Sequence, residues 1–449
     1  MEIKLGLKAF KMGGIHPPEN KTAKDSPIEV LSVPEKVSIP LAQHIGAPAR
    51  PVVKKGDIVK VGTLIASPGG FISTCIHSSV SGKVSKIEDV NDVSGYKRPA
   101  VTIAVEGDEW EDSIDRSEDI IREISFSKEE IVEKIKDAGI VGLGGAAFPS
   151  HVKYLVPEGK VVDTLIINGV ECEPYLTADH RIMLERSEEI FIGVEILKKA
   201  LGVKQAYIGI ENNKPDAIEK MEKIAKDFPG TEVVALRVQF PQGAEKQLIK
   251  AIANREVPGG KLPLDVGCVV NNVGTALAVY YAIQKNKPLI DRVVTVTGKK
   301  LSKRANFLAR IGTPYSFLID AVGGIPQGTG KIISGGPMMG KAVGYTDIPI
   351  TKGTSGIVFL DEDEAKRPTP SNCIRCGKCV SVCPMGLSPY FLEKVARRKL
   401  WDDCEEWEIV DCIECGSCSY TCPASRPLTD YIRYGKANVM RIMRERSTK

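Results

Sequence analysis

The chain has 449 residues, enough for about three domains. Lys and Arg total 61 against 57 Asp and Glu, a net charge of +4, which argues against the broad basic surface of a nucleic-acid-binding protein. A hydrophobic content of 43% rules out a disordered chain, and no run of about 18 uninterrupted apolar residues is present to cross a bilayer. The start, MEIKLGLKAFKMGG, lacks the apolar segment of a signal peptide, so a cytoplasmic location is expected.

From about residue 28 to 110 the chain reads as short strands broken by Gly and Pro (VSIPL, DIVKVGTLIAS, SGKVSKIE, RPAVTIAV), a small all-β unit. From about 127 helices and strands alternate. SKEEIVEKIKDAG opens with Ser127 as N-cap and Glu130 three positions on, a capping box. The strand VDTLIINGV follows, then one long helix through RIMLERSEEIFIGVEILKKALG, then QAYIGIE, DAIEKMEKIAKDF and TEVVALRV. That alternation predicts a parallel sheet flanked by helices. GAEKQLIKAIANRE and VGTALAVYYAIQKN are two further helices, RVVTVTGK opens a second β-rich unit near 292, and DEDEAKRPTPSN (361–372) reads as a linker.

Of twelve cysteines, nine fall between Cys373 and Cys422, and all of these but Cys404 belong to a repeated motif. The motif occurs as two units, CIRCGKCVSVCP (373–384) and CIECGSCSYTCP (412–423), each C-x₂-C-x₂-C-x₃-C-P. Three thiolates at this spacing wrap one cubane, and the fourth Cys reaches the other cluster. The spacing therefore assigns Cys373, Cys376, Cys379 and Cys422 to one [4Fe–4S] cluster and Cys412, Cys415, Cys418 and Cys383 to a second. Zinc, the alternative, usually takes two C-x₂₋₄-C pairs. Cys404 reads as an ordinary thiol, and Cys75 and Cys268, in apolar runs, as small core residues.

GIVGLGGAAFPSHVKYL (139–155) carries Gly142, Gly144 and Gly145, whose freedom at positive φ lets a ligand approach the backbone. It matches neither the Walker A loop nor the dinucleotide fingerprint, and on its own it is equally a tight packing loop. The strand DTLIIN ends in Asn168-Gly-Val-Glu171-Cys-Glu173-Pro174, two carboxylates at the end of a parallel strand where open α/β sheets bind ligands. A solvated turn is the plainer reading. Glu245 opens a helix, and Asn271 and Asn272, inside an apolar stretch, need hydrogen-bond partners that a buried ligand can supply.

GLGGAAFPSHVK, NGVECEP, GAEK and VNNVGT occur in the same order in the NADH- and flavin-binding subunit of respiratory complex I and its relatives, and the chain resembles that family. With a β-unit in front and the twin cysteine motif behind, the whole of 1–449 resembles the RnfC family of electron-transport proteins. The resemblance implies a multidomain α/β chain. Its parts are an N-terminal all-β barrel-sandwich hybrid (1–115), a central Rossmann-like FMN/NAD(H) domain (120–290), a β-grasp module of the SLBB type (291–360) and a helical, ferredoxin-like twin [4Fe–4S] domain (361–449).

Carried over by position, Gly142, Gly144, Gly145 and Phe148 line FMN and NADH, and Lys153 lies near the phosphates. Asn168 bonds to the flavin, Glu171 and Glu173 face flavin or nicotinamide, and Glu245 bonds to the nucleotide. Asn271, Asn272 and Thr275 hold the ribityl-phosphate end. Three positions depart from the complex I pattern: Ala244 and Val170 stand where it has acids, and Phe240 where it has Tyr. The hairpin CIHSSVSG, where barrel-sandwich domains carry a modified Lys, contains none, so no lipoyl or biotinyl group is expected.

Nicotinamide moves two electrons as hydride, iron–sulfur clusters move one, and a flavin does both. The resemblance thus implies electron transfer between NAD(H), non-covalent FMN and two [4Fe–4S] clusters, as a ferredoxin:NAD⁺ oxidoreductase coupled to ion transport. Glu171 and Glu173 would orient the nicotinamide. The implied partners are the membrane subunits of the Rnf complex and an iron–sulfur subunit or ferredoxin, with the chain peripheral on the cytoplasmic face of the cell membrane. Rival readings are a soluble reductase of the cobalamin-reductase type, a wire that has lost nucleotide binding, and a zinc scaffold. The last nineteen residues, with six basic and one acidic, either dock a partner or lipid or balance the acidic stretch DDCEEWE (402–408).

Overall fold

The computed structural model describes residues 7–447, so the first six residues of the chain start and the last two of the basic tail lie outside the described residues. The chain begins by running over domains that come later in sequence. Lys8 forms a bridge to Leu236 and Ile15 to Phe240, and β1 (Ile28–Val30) pairs in parallel with residues 306–308. Residues 8–30 thus run ahead of the first sandwich strand as a strap on other domains, where their backbone groups find partners.

The sandwich itself starts at β2 (Lys36–Pro40). With β3 (Arg50–Pro51), β4 (Ile58–Val59), β5 (Leu64–Ser67), β6 (Ile76–His77), β7 (Gly82–Asn91) and β8 (Lys97–Val105) it makes two sheets, ordered β2-β8-β7-β4 and β3-β5-β6. Val37, Ile39, Val84, Val101 and Ile103 alternate inward and are fully buried. The CIHSSVSG hairpin is not displayed to solvent: Ser79 Oγ donates to the carbonyl of Ile311, and the carbonyl of Cys75 accepts from Lys352 Nζ at 2.9 Å.

In the α/β domain α1 (Lys128–Asp137) starts with the expected box, Glu130 N–H donating to Ser127 Oγ at 3.2 Å and Ser127 N–H to Glu130 Oε2 at 2.7 Å. Then come α2 (Ser150–Tyr154), β9 (Thr164–Asn168), α3 (Ala178–Glu185), α4 (Ser187–Leu201), β10 (Gln205–Glu211), α5 (Pro215–Ala225), β11 (Thr231–Leu236), α6 (Glu245–Ala253), β12 (Cys268–Asn272) and α7 (Val273–Gln284). The four strands are all parallel, ordered β11-β10-β9-β12. The single long helix expected over 181–202 is two: Arg186, at φ −132°, breaks it, and Ser187 turns its hydroxyl back onto the carbonyl of Met183.

The next unit is built on β13 (Asp291–Gly298), β14 (Ala305–Arg310), α8 (Tyr315–Asp320), β15 (Thr329–Ser334), β16 (Lys341–Val343) and β17 (Gly356–Asp361), in a mixed sheet ordered β1-β14-β13-β17-β15-β16. The charged start of the expected linker forms a short helix, α9 (Glu362–Ala365), capped by Asp361. The C-terminal unit holds α10 (Lys378–Ser381), α11 (Pro389–Arg397), α12 (Trp401–Glu406), α13 (Ser417–Tyr420) and α14 (Leu428–Ser447). Its core combines Leu392, Val395, Ile409, Ile432 and Val439 with Cys383, Cys404, Cys412 and Cys418. The basic tail spends charge inside this unit: Arg446 pairs with Glu405 at 2.7 Å and with Asp402 at 3.4 Å.

Candidate flavin site and twin cluster loops

The C-terminal ends of β9 and β12, the glycine loop and the start of α7 meet at one place. A bridge between Val141 and Pro149 closes the loop into a hairpin, and Gly142 N–H donates to Phe148 O at 2.8 Å. Leu143 N–H donates to the buried Thr275 Oγ1 at 2.9 Å, pinning the loop on α7. Gly144 lies against Asn272, whose Cβ would be 3.1 Å from a Cβ added there. Gly145 has φ +146° and open space at the Cβ position, so the backbone of Gly144–Ala146 stands exposed with room beside it.

Asn272 caps α7, its Oδ1 accepting from Gly274 N–H at 2.8 Å, while its Nδ2 donates to Asp179 Oδ2 at 2.6 Å. Asn271 Oδ1 accepts from the buried Tyr154 hydroxyl at 3.1 Å. Its Nδ2 is buried and, among the described residues, meets no acceptor. Lys153 Nζ donates to Glu245 Oε1 at 3.0 Å and to Val270 O at 2.8 Å, joining α2 to the start of α6. These groups fit FMN: an open glycine backbone for the rings, an amide donor lacking an acceptor, and an ammonium for the phosphate.

The acidic segment is arranged differently from expectation. Glu171 sits at φ +45° and its carboxylate accepts from Asp179 N–H at 2.8 Å and His180 N–H at 3.2 Å, the first turn of α3. An anion is favoured there by the free N–H groups and the helix dipole. Glu173 accepts from Met338 N–H at 3.0 Å and Met339 N–H at 2.7 Å, in the loop between β15 and β16. The protein packed around it pushes its carboxyl up to about 7. Burial, and then the charge of Glu171, push Asp179 up as well, to about 7. Both carboxylates, expected to face flavin or nicotinamide, are held by backbone donors. Asn168 is likewise engaged, its Nδ2 donating to Gly243 O at 2.8 Å and its Oδ1 accepting from Val170 N–H at 3.1 Å.

The two cysteine loops share one conformation. Arg375 and Glu414, third in each motif, have φ +55° and +57°, and Gly377 and Gly416, each opening a helical turn, have +74° and +80°. Cys383 is brought together with Cys412, Cys415 and Cys418 around one cavity, walled by Met385, Leu387, Ile413 and Ile432. Cys379 lies close enough to Cys422 and Cys376 for their charges to act on it. Cys373 and Cys376 are exposed, whereas Cys379, Cys383 and Cys415 are buried. Among the described residues no three His, Cys, Asp or Glu side chains converge as ligands of a single ion would. Thiols spread around a cavity suit the corners of a cubane.

The second set adjoins the α/β domain. Cys415, Val382 and Ile413 pack with Phe240, Cys172, Met338 and Ile15 in one apolar cluster, and Gln247 on α6 donates to the carbonyl of Pro384 at 3.0 Å. The strap completes the junction: Gly14 N–H donates to Val382 O at 2.9 Å. Sequence reasoning missed the strap and Gln247, since neither lies in a periodic or motif-bearing stretch.

The chain is 49% identical to the RnfC-type component of the proton-translocating ferredoxin:NAD(+) oxidoreductase complex of Clostridium ljungdahlii, over 96% of this chain and 94% of that protein. It is 47% identical to the corresponding component of the Na(+)-translocating complex of Acetobacterium woodii, over 98% of both. The chain belongs to the RnfC family. Four family models match it in order, the RnfC barrel sandwich hybrid domain at 9–109, the Nuo51 FMN-binding domain at 135–281, the SLBB domain at 293–342 and the 4Fe-4S dicluster domain at 372–426. As an RnfC protein the chain thus unites an FMN domain with a two-cluster domain. An NAD⁺-reducing [NiFe]-hydrogenase structure shares the fold at 17% identity and a TM-score of 0.50, over 71% of this chain and 63% of that one. Among the described residues no helix is long and apolar enough to cross a membrane.

Proposed function

We propose that the chain is the peripheral subunit of an ion-translocating ferredoxin:NAD⁺ oxidoreductase complex, passing electrons between two [4Fe–4S] clusters, FMN and NAD(H). When bound, FMN supplies the conversion between one-electron and hydride transfer. The observation that carries the reading is the apolar junction of Cys415 and Val382 with Phe240 and Cys172, which sets the second cysteine cavity directly against the flavin-domain loops. Asn271 Nδ2, Thr275 and the exposed Gly144–Ala146 backbone would hold FMN, and Lys153 its phosphate, with Glu245 fixing that ammonium in place. Gly142, Phe148, Asn168 and Asn272 act by shaping the cradle. Glu171 and Glu173 act by fixing the loop between β9 and α3, not by touching the reacting atoms.

The eight motif cysteines would ligate the clusters in the crossed arrangement, Cys373, Cys376, Cys379 and Cys422 against Cys412, Cys415, Cys418 and Cys383. Beside the first set the surface carries the exposed Cys373, Ile374, Arg375, Cys376 and Lys378. Apolar and basic together, it suits an acidic iron–sulfur donor. Membrane subunits would hold the chain on the cytoplasmic face, and electrons would run from reduced ferredoxin toward NAD⁺.

Anaerobically reconstituted full-length protein tests this. It should hold about eight irons, as two cubanes require, together with releasable FMN that NADH bleaches. Iron without FMN leaves only an electron wire. FMN that NADH does not bleach overturns the nucleotide half, where Ala244 and Val170 replace family acids.

A further inference from the structure

Lys21 lies in the strap, about 150 residues before the loop it touches. Its ammonium donates to three carbonyls, those of Glu171 at 2.7 Å, Glu173 at 2.8 Å and Leu176 at 2.7 Å. Lys214, 2% exposed and at the start of α5, donates to the preceding carbonyl, Val170 O, at 2.8 Å. The strap is anchored on both sides of Lys21: Tyr175 N–H donates to Glu19 O at 2.9 Å, and Asn306 Nδ2 donates to Ala23 O at 2.9 Å and Ser26 O at 3.0 Å.

Three acceptors around one ammonium use all three of its protons, which is the geometry of the charged form. Burial draws its pKa down, the positive charge of Lys214 adds to this, and the charges of Glu171 and Glu211 oppose it. In a trans peptide the N–H points opposite to the C=O. Two ammonium groups holding the successive carbonyls of Val170 and Glu171 therefore turn the N–H groups of Glu171 and Cys172 to the other side of the loop. Among the described residues no acceptor meets either N–H.

We propose that Lys21 is a positioning residue for the flavin. By gripping the carbonyls of Glu171, Glu173 and Leu176, alongside Lys214 on Val170, it presents the Glu171 and Cys172 N–H groups as a donor pair to the flavin ring and places positive charge behind it. This rests on the reading that FMN binds at the ends of β9 and β12. The strap thereby makes the flavin site a product of two distant parts of the chain. Its charge also favours the more negative, reduced state of the cofactor, so it raises the flavin potential.

The test uses the full chain with its clusters rebuilt, as wild type and as Lys21→Met and Lys21→Gln. FMN affinity is read by quenching of flavin fluorescence on binding, and the flavin midpoint potential by redox titration. Both substitutions should raise the FMN Kd about tenfold, the equivalent of about 1.4 kcal/mol, and lower the flavin potential, with iron content unchanged. A Kd within about twofold of wild type and an unmoved potential overturn the proposal, even if thermal stability falls, since stability alone marks a merely structural lysine. Where Lys21→Met does not accumulate, Lys21→Gln decides by the same two readouts, because its amide keeps two donors while removing the charge. Wild-type protein that takes up no FMN overturns the proposed function itself, a result distinct from equal binding by wild type and variants.

Discussion

At the residue scale the flavin site turns on one atom lacking a partner. A buried amide nitrogen without an acceptor costs about 1–3 kcal/mol, and Asn271 Nδ2 is such a donor until a ligand accepts from it. Asn271→Leu removes both the donor and the acceptor of the Tyr154 hydroxyl. It should weaken FMN binding about tenfold, on the scale of one lost buried hydrogen bond, and flavin retention on gel filtration reads this. Glu173 yields a prediction of opposite character. Its folded pKa, about 7, lies above the ordinary carboxyl value of 4.5, so between those values the folded state binds more protons than the unfolded one. Stability is then highest below pH 4.5 as far as this group is concerned, and is lost as pH rises through 7, by about 3 kcal/mol at most. Lys21 and Arg433 are the nearby charges that oppose the shift. Glu173→Gln keeps an acceptor for one of the Met338 and Met339 N–H groups, which bond different carboxylate oxygens, and cannot ionise. It should flatten the fall of the thermal midpoint between pH 5 and 8 and leave NADH-dependent flavin bleaching within about twofold of wild type, as expected of a group outside the transition state. A tenfold loss of bleaching rate would return Glu173 to the reacting atoms.

Elements explain why some of this was legible in advance and some not. Buried parallel strands leave short continuous apolar runs and amphipathic helices a period of 3.6, and β9, β10, β11, α5 and α6 emerge from those patterns. So does the twin cysteine loop, because its spacing is local. Side-chain direction leaves no such trace. NGVECEP announces two acids at a strand end, but whether they face a ligand or the first turn of α3 depends on φ +45° at Glu171 and on a loop from another domain. The break at Arg186 was invisible for the same reason: apolar residues continue across it in helical phase. Helix contact supplies its own test. Gly193, in the middle of α4, lets that helix approach α7 so closely that an added Cβ would lie 2.0 Å from the carbonyl of Ala276. In an exposed helix Gly→Ala stabilises by about 1 kcal/mol. Here Gly193→Ala should destabilise by about 1–3 kcal/mol, as overpacking does, and should loosen FMN, because α7 carries Thr275 and is capped by Asn272. A raised melting temperature would show that the two helices separate freely.

At the scale of the molecule the succession of four folded units is written in composition, whereas the strap that ties them is not. Residues 8–30 have no periodicity, and their partners lie from about 150 to nearly 370 residues away, so only the folded chain shows their use. Gly13 packs on the Cys383 backbone closely enough that a Cβ would lie 2.6 Å from its carbonyl, and Gly14 N–H bonds to Val382. One residue on, Ile15 and Phe240 exchange backbone hydrogen bonds of 2.9 and 2.8 Å. The loop before Cys383, the strap and the segment leading into GAEK thus form one continuous backbone path. Core residues of the C-terminal unit include four cysteines, three of them proposed ligands, so cluster loss removes both ligation and packing there. Chelation of iron under anaerobic conditions should therefore raise amide hydrogen exchange across 373–447 and carry the loss of protection to Gly14, Ile15 and Phe240. Strands β9, β10 and β12, buried in their own sheet, should keep theirs. Protection lost only within 373–447 would mean that the junction holds without the clusters, and the strap would then answer to the flavin domain alone.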